Sequence, residues 1–303
     1  MATIDSKETA LDCAIRDSEI SSKSDYGYLI DGKKPYENYM SNEIWKVFLN
    51  QMSDLHRHQF DDGDGGELKE KNGRYGLNPP KMASYGSSSR FIYQCSEKIE
   101  GFSFEKQMPT RVGHIANLDG YILKEDANVY VEAKRREIYG NHKKTEINIA
   151  YQRVYDSINK IHSRFEYVGS PCNKDKKDYF LCTFKYNNRE IVHFDIKQLI
   201  CHFLGITADI LENKQTKRIR FVYLIFNPNS IEDKIDKKYK DAILSIYKDT
   251  LEEIKSMGDM GWLFEAVLEF QKKNLNLKLE KAPTFDFFLA DQNNYRYAID
   301  GKR

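Results

Sequence analysis

Residues 129–135 read VYVEAKR, and an aspartate lies thirteen residues before the glutamate, in NLDGYIL. Side chains alternate along an extended strand, so Val129, Val131 and Ala133 face one way while Tyr130, Glu132 and Lys134 face the other. If 117–123 returns antiparallel through the turn KEDAN, positions 119 and 133 are equidistant from a turn centred on Asp126. Asp119 then falls opposite or beside Glu132 and Lys134, and cross-strand neighbours lie about 4.5–5.5 Å apart. Two carboxylates at that separation suit a hard divalent cation, and Mg²⁺ prefers one or two carboxylates, several waters and a phosphate oxygen of the substrate. Such an ion polarises phosphorus, stabilises charge building on phosphoryl oxygens and lowers the pKa of a bound water. Lys134 would orient the attacking water or stabilise that charge, its own charge set by burial against the nearby carboxylates. A hairpin carrying ordinary ion pairs on its wet face shows the same spacing, so the surrounding elements decide between the two.

Those elements follow from periodicity. A helix opened by SSS from Ser87, with Phe91, Ile92, Cys95 and Ile99 on one stripe, leads into SFEKQMPT, which reads as a strand. NLDGYIL and the half-buried VYVEAKR then make the hairpin, and TEINIAYQRVYDSINKIHSRF has helical spacing. DYFLCTFKY and REIVHFD flank Asn187 and Asn188, a pair suited to a tight hairpin turn. IKQLICHFLGI predicts a short helix ending at Gly205, and RIRFVYLIFNP a strand buried on both faces. Two helices, KKYKDAILSIYKDTLEEIKS and GWLFEAVLEFQKK, and a final edge strand in LNLKLEKAPTFDFFLA complete the series. Upstream, SNEIWKVFLNQMSDLHRH predicts one amphipathic helix capped by Ser41 or Asn42, and DDGDGGELKEKNGRYGLNPP an exposed loop. That loop is no calcium loop, because Glu67 stands where the sharp-turn glycine belongs. The expected architecture is α/β: residues 1–85 form a helical and loop extension, and 86–303 a domain of mixed β-sheet flanked by helices.

Composition bounds the function. With 303 residues, 40% of them hydrophobic, the chain can bury a sizeable core. No apolar run approaches the roughly 18 residues of a membrane span, and the charged opening MATIDSKETALDCAIRDSE is no signal peptide, so a cytoplasmic protein without a membrane partner is expected. Cysteines at 13, 95, 172, 182 and 201 form no C-x-x-C pair, which argues against a disulfide framework or a zinc site. The net charge is +1, but Lys134, Arg135, Arg136, Lys143 and Lys144 cluster, as do Lys214, Lys217, Arg218 and Arg220. Either run is a phosphate-binding patch or a solvated face. His56 and His58 lack the i, i+4 spacing of paired metal ligands and read as surface residues, and His114, close to Asp119 in sequence, reads either as a residue approaching that site or, more often for a lone strand-flanking histidine, as structural. No Gly-rich phosphate loop or hydrolase triad motif competes with the Asp–Glu–Lys set.

The order helix, strand, hairpin, helix around Asp119 and Glu132-Ala133-Lys134 resembles the PD-(D/E)xK nuclease superfamily, clearest over 87–161 and extending to the strand ending near Pro228. The residue before Asp119 is Leu118 where the name-giving pattern has proline. PPKMASYGSSSRF, FEKQMPT and DIKQLICHFLGI also look like segments of bacterial proteins described as restriction endonucleases. The resemblance implies a restriction-endonuclease-like core and a metal-dependent endodeoxyribonuclease that cleaves double-stranded DNA in defence. It implies Mg²⁺, with Mn²⁺ able to substitute, held by Asp119, Glu132 and the Ala133 carbonyl. It further implies an accessory acid, Glu97 ahead of Glu100, and backbone contacts from Gln152 with Tyr155, with Arg135, Arg136, Lys143 and Lys144 binding DNA. A homodimer and a cognate DNA methyltransferase are the implied partners. A DNA-binding protein without catalysis and a repair or junction nuclease are the competing readings.

Overall fold

The computed structural model describes residues 7–30, 35–63, 67–73, 76–139, 144–171 and 178–302. Helix α1 (Lys7–Glu19) buries Ala10, Leu11, Ala14 and Ile15 on one face, the 3–4 spacing of an amphipathic helix. A short antiparallel pair follows, β1 (Tyr26–Tyr28) and β2 (Tyr36–Met40). The single helix expected over 41–58 is instead two, α2 (Asn42–Gln51) and α3 (Asp54–Asp62). Ser41 and Ser53 cap them by accepting the backbone N–H of Ile44 and His56, so the second cap starts a new helix where the sequence pattern alone runs on. The run expected as an exposed loop holds a hairpin, β3 (Lys71–Gly73) with β4 (Gly76–Asn78), and buries Glu67 and Leu68. Helix α4 (Ser88–Ser96) starts as expected, Ser87 accepting from the Arg90 N–H.

The central sheet begins with an antiparallel meander, β5 (Ser103–Pro109), β6 (Ile115–Leu123) and β7 (Ala127–Lys134). The chain then makes β8 (Thr145–Asn148), α5 (Gln152–Ile161), β9 (Phe165–Pro171), β10 (Tyr179–Tyr186) and β11 (Arg189–Glu190). It returns through α6 (Ile196–Asn213) to β12 (Arg218–Ile225), and ends with α7 (Lys237–Ser256), α8 (Gly261–Leu275), β13 (Phe285–Ala290) and α9 (Tyr295–Ile299). Strand order is β13-β12-β7-β6-β5, with β12 parallel to both β7 and β13. This is a mixed sheet with flanking helices, and the parallel β7–β12 step requires the long crossover that includes α6. Strand β7, expected half-buried, is buried at all eight positions, because helices cover both faces of the sheet, α4 lying on β6 and β7 and α6 on β5 and β6.

Two further expectations change for non-local reasons. The stretch 145–165 opens as a strand, since Thr145–Asn148 pair with Tyr179–Cys182 in a second small sheet, and only Gln152–Ile161 is α-helical. Helix α6 does not stop at Gly205 but runs to Asn213, closed by Lys214 in the left-handed region at φ 50°. Gly205 serves packing instead: a Cβ there would sit 2.8 Å from the Cβ of Met108 on β5. The Asn187–Asn188 turn forms as expected, at φ 49° and 63°. One core cluster joins Leu11, Trp45 and Phe60 to Val131, Phe203 and Ile299. Among the described residues no helix is long and apolar enough to cross a membrane.

Candidate active site

Strand register assembles the site. Gly120 lies opposite Val131 and Tyr121 opposite Tyr130, and continuing that register sets Asp119 opposite Glu132. On the other edge of β6, Phe104 pairs with Gly120 and Lys106 with Leu118, which brackets Glu105 opposite Asp119. Three carboxylates therefore stand in a row across β5, β6 and β7. Glu105 interrupts β5 with a left-handed backbone, φ 54°, a conformation costing a non-glycine residue on the order of 1 kcal/mol unless its surroundings hold it. Gly63 lies so close that a Cβ there would sit 2.9 Å from the Cβ of Glu105.

Between Asp119 and the triplet the ladder gives way to a side chain. Asp119 Oδ2 accepts the backbone N–H of Ala133 at 2.6 Å. The N–H and C=O of one strand residue point to the same edge, so the Ala133 carbonyl also faces β6, while the next carbonyl, that of Lys134, accepts from Phe226 on the β12 side at 2.9 Å. Asp119 is partly buried and lines a cleft of about 360 Å³ with Glu105, Asn117, Ser89, Glu137 and Gln198. Burial, then the charge of Glu132, push its carboxyl well above the usual aspartate range; Lys134 opposes the shift and Glu105 adds to it.

The triplet's own side chains are held differently. Glu132 is 2% exposed and Lys134 6%. Lys134 Nζ donates to Glu132 Oε1 at 2.6 Å and to Gln198 Oε1 at 2.5 Å, and His202 Nε2 lies 2.9 Å from Glu132 Oε2. Burial pushes the Glu132 carboxyl up, but Lys134 and His202 outweigh it and hold it down at about 2. Burial likewise works against the Lys134 ammonium, yet Glu132 keeps its pKa well above the usual lysine value.

Several expected site residues lie elsewhere. Glu97 is exposed at the carboxyl end of α4, beside Tyr93, whereas the opposite end, Ser87–Ser89, reaches the cleft, whose glutamates among the described residues are Glu67, Glu105 and Glu137. Tyr155 is fully buried against Tyr151, Tyr167 and Phe184, so it is core and no backbone contact. Gln152 is exposed on α5, which packs on α8 and β9, and the polar helix residue at the triplet is Gln198 of α6. Arg135 is no free cation: 2% exposed, it pairs with Glu19 of α1 and lies 5.5 and 5.3 Å from the rings of Phe91 and Phe226. Arg136 is exposed, lines the cleft and pairs with Asp12 at 2.7 Å. Lys144 is exposed, and Lys143 lies outside the described residues. In the second basic run Arg220 is buried against Asp126 and the Ile299 carbonyl. His114 stacks on Tyr151 rather than approaching Asp119. Glu105, Gln198 and His202 were not singled out by sequence reading. The signal for the latter two is their i, i+4 spacing on a helix otherwise rich in Ile, Leu and Phe.

Among the described residues no group of three or more His, Cys, Asp or Glu is placed to hold a metal ion. Mg²⁺ asks for less, one or two carboxylates completed by waters, and Asp119, Glu105 and the Ala133 carbonyl are oxygen donors of the required hardness. Glu132 Oε1 accepts from Lys134 while Oε2, 2.9 Å from His202 Nε2, is buried without a hydrogen bond, and a carboxylate offers about four lone-pair sites, so acceptor capacity remains for an ion. Compared with known proteins, the chain matches no family model, no curated protein and no solved structure.

Proposed function

We propose that the chain is a Mg²⁺-dependent DNA endonuclease with a restriction-endonuclease-like core, cutting double-stranded DNA in restriction-type defence. One observation carries the reading: Asp119 on the second strand of the meander is bonded to Ala133, the residue between Glu132 and Lys134 on the third, at the wall of an open polar cleft. Glu67, Glu105, Asp119 and Glu137 line that cleft against Lys81 and Arg136, and both cations are already paired, with Glu67 and Asp12. Among the described residues lining it carboxylates outnumber cations, so a cation would help a phosphodiester enter. Asp119, Glu132 and the Ala133 carbonyl would hold Mg²⁺, which supplies Lewis acidity and a more acidic bound water. The chain itself contributes Lys134, whose ammonium, fixed by Glu132 and Gln198, stabilises charge developing on the phosphoryl oxygens or orients the water. Hydrolysis leaves a 5′-phosphate. Mn²⁺ would substitute, and restriction would pair the protein with a cognate DNA methyltransferase and, for a palindromic site, with a second copy of itself.

The test is conversion of supercoiled plasmid with Mg²⁺ against EDTA, for the intact protein and for Asp119→Ala and Lys134→Ala. Cleavage that needs Mg²⁺ and disappears in both variants is expected; cleavage retained in both would refute the assignment. One observation favours a second reading, DNA binding without cutting: Glu132 and Lys134 neutralise each other below the surface. On that reading a gel shift persists while no Mg²⁺ concentration yields nicked or linear product. A preference for branched over linear duplex would instead move the role to repair or junction resolution.

A further inference from the structure

Helix α6 crosses the sheet with two polar side chains one turn apart, Gln198 and His202, on the face that meets β7. Gln198 reaches the cleft; His202 does not, being 2% exposed and near Phe221. A histidine inside an apolar helix face needs a partner for its ring nitrogens; neither nitrogen meets hydrogen-bond geometry, and Nε2 lies 2.9 Å from Glu132 Oε2, which is itself buried without a hydrogen bond. Glu132 lies opposite Tyr223 of β12 and has Lys134 on its other oxygen. Lys134 holds only Oε1, so the carboxylate plane is free to turn about that contact unless a second group fixes Oε2.

We infer that His202 is a positioning residue for Glu132, fixing the carboxylate plane by donating Nε2–H to Oε2 so that the oxygens keep one orientation toward the ion at Asp119. This rests on the metal-dependent reading above. Residues that orient metal ligands in this way change metal affinity or activity by roughly 10- to 100-fold when removed. His202→Gln keeps a donor near the position of Nε2, and His202→Leu keeps bulk without a donor. With cleavage rate measured against Mg²⁺ concentration, His202→Leu should need at least about 10-fold more Mg²⁺ for half-maximal rate, and His202→Gln should recover most of that loss. In a Glu132→Gln background, where a ligand is gone and Tb³⁺ affinity rather than cleavage is the readout, His202→Leu should weaken binding no further, because the group it acts through is absent. A full additional loss, or equal Mg²⁺ dependence in both His202 variants, would overturn the inference.

Should His202→Leu fail to fold, nitrogen NMR of the intact protein decides. The His202 resonances, assigned by their loss in His202→Gln, should place the ring proton on Nε2, and a proton on Nδ1 alone overturns it. Tb³⁺ luminescence, titrated with and without competing Mg²⁺, extends the comparison to protein that does not cut. If the intact protein binds the ion but leaves DNA whole, the nuclease reading fails while the variants' affinities still score His202. If it cuts and the variants behave alike, His202 alone fails.

Discussion

Asp119 and Glu132 stand opposite each other on neighbouring strands, yet their surroundings drive them in opposite directions. At the β7 end, Glu132 is sealed from water but met by Lys134 and His202, which hold its carboxyl at about 2. At the β6 end, Asp119 opens on the cleft, has one neutral donor from Ala133, and is pushed up by burial and by the charges of Glu132 and Glu105. Pairs whose surroundings separate their pKa values are where acid, base and ligand roles divide. The charge at Glu132 is compensated inside the protein by Lys134; the charge at Asp119 has no such partner, and on the proposed metal-dependent reading a cation would supply it.

The largest expected effect lies at Asp119. Asp119→Asn keeps an oxygen for the Ala133 N–H and removes only the charge, so the fold should persist while cleavage falls by at least roughly 1000-fold, the several kcal/mol a metal contributes to a phosphoryl transition state. Plasmid cleavage over a wide range of enzyme concentrations reads this directly. Cutting within tenfold of the parent would mean that the uncompensated end is not the reactive one.

Stability should follow the reverse order. Glu132→Gln leaves the buried Lys134 ammonium without its counter-charge, and breaking a buried pair from one side costs about 3–5 kcal/mol. Thermal unfolding should fall by roughly 5–10 °C for a chain of this size. A melting temperature unchanged by Glu132→Gln would show that the pair holds nothing, and the contrast between the two carboxylates would collapse.

What was readable in advance is what period-2 alternation and turn chemistry encode locally. The hairpin around KEDAN, the facing of Glu132 and Lys134, the Asn187–Asn188 turn and the buried strand at 218–225 depend on neighbours within a few residues. What escaped depends on partners far along the chain. Arg135 looked like a DNA contact because its ion pair, Glu19, lies 116 residues away. Thr145–Asn148 looked helical because the strand that extends it begins at Tyr179. Glu105 gave no signal at all: its part follows from the β5–β6 register and a left-handed backbone that no local propensity announces for glutamate. Tyr155 matched a helix-face pattern, but which face of α5 meets the core is set by β9 and β10, through Tyr167 and Phe184.

The smallest effect is the sharpest in sign. A carboxyl raised in the folded state contributes stability that is fully present below its unfolded pKa of about 3.8 and is lost as pH rises through the folded value. Asp119→Asn mimics the protonated form at every pH. In EDTA, therefore, its melting temperature should match the parent's near pH 3 and exceed it at pH 7, by about 1.5–2 °C for each kcal/mol released. Glu132 gives the opposite profile, because its stabilising charge is present above the usual glutamate range and lost only as pH falls toward about 2. Mg²⁺ at pH 7 should then raise the parent's melting temperature and leave that of Asp119→Asn where it is, since an ion stabilises only the state that binds it. A parent that outlasts Asp119→Asn at pH 7 in EDTA would mean that its carboxylate is already compensated from within, which removes the reason for the cleft to take a cation.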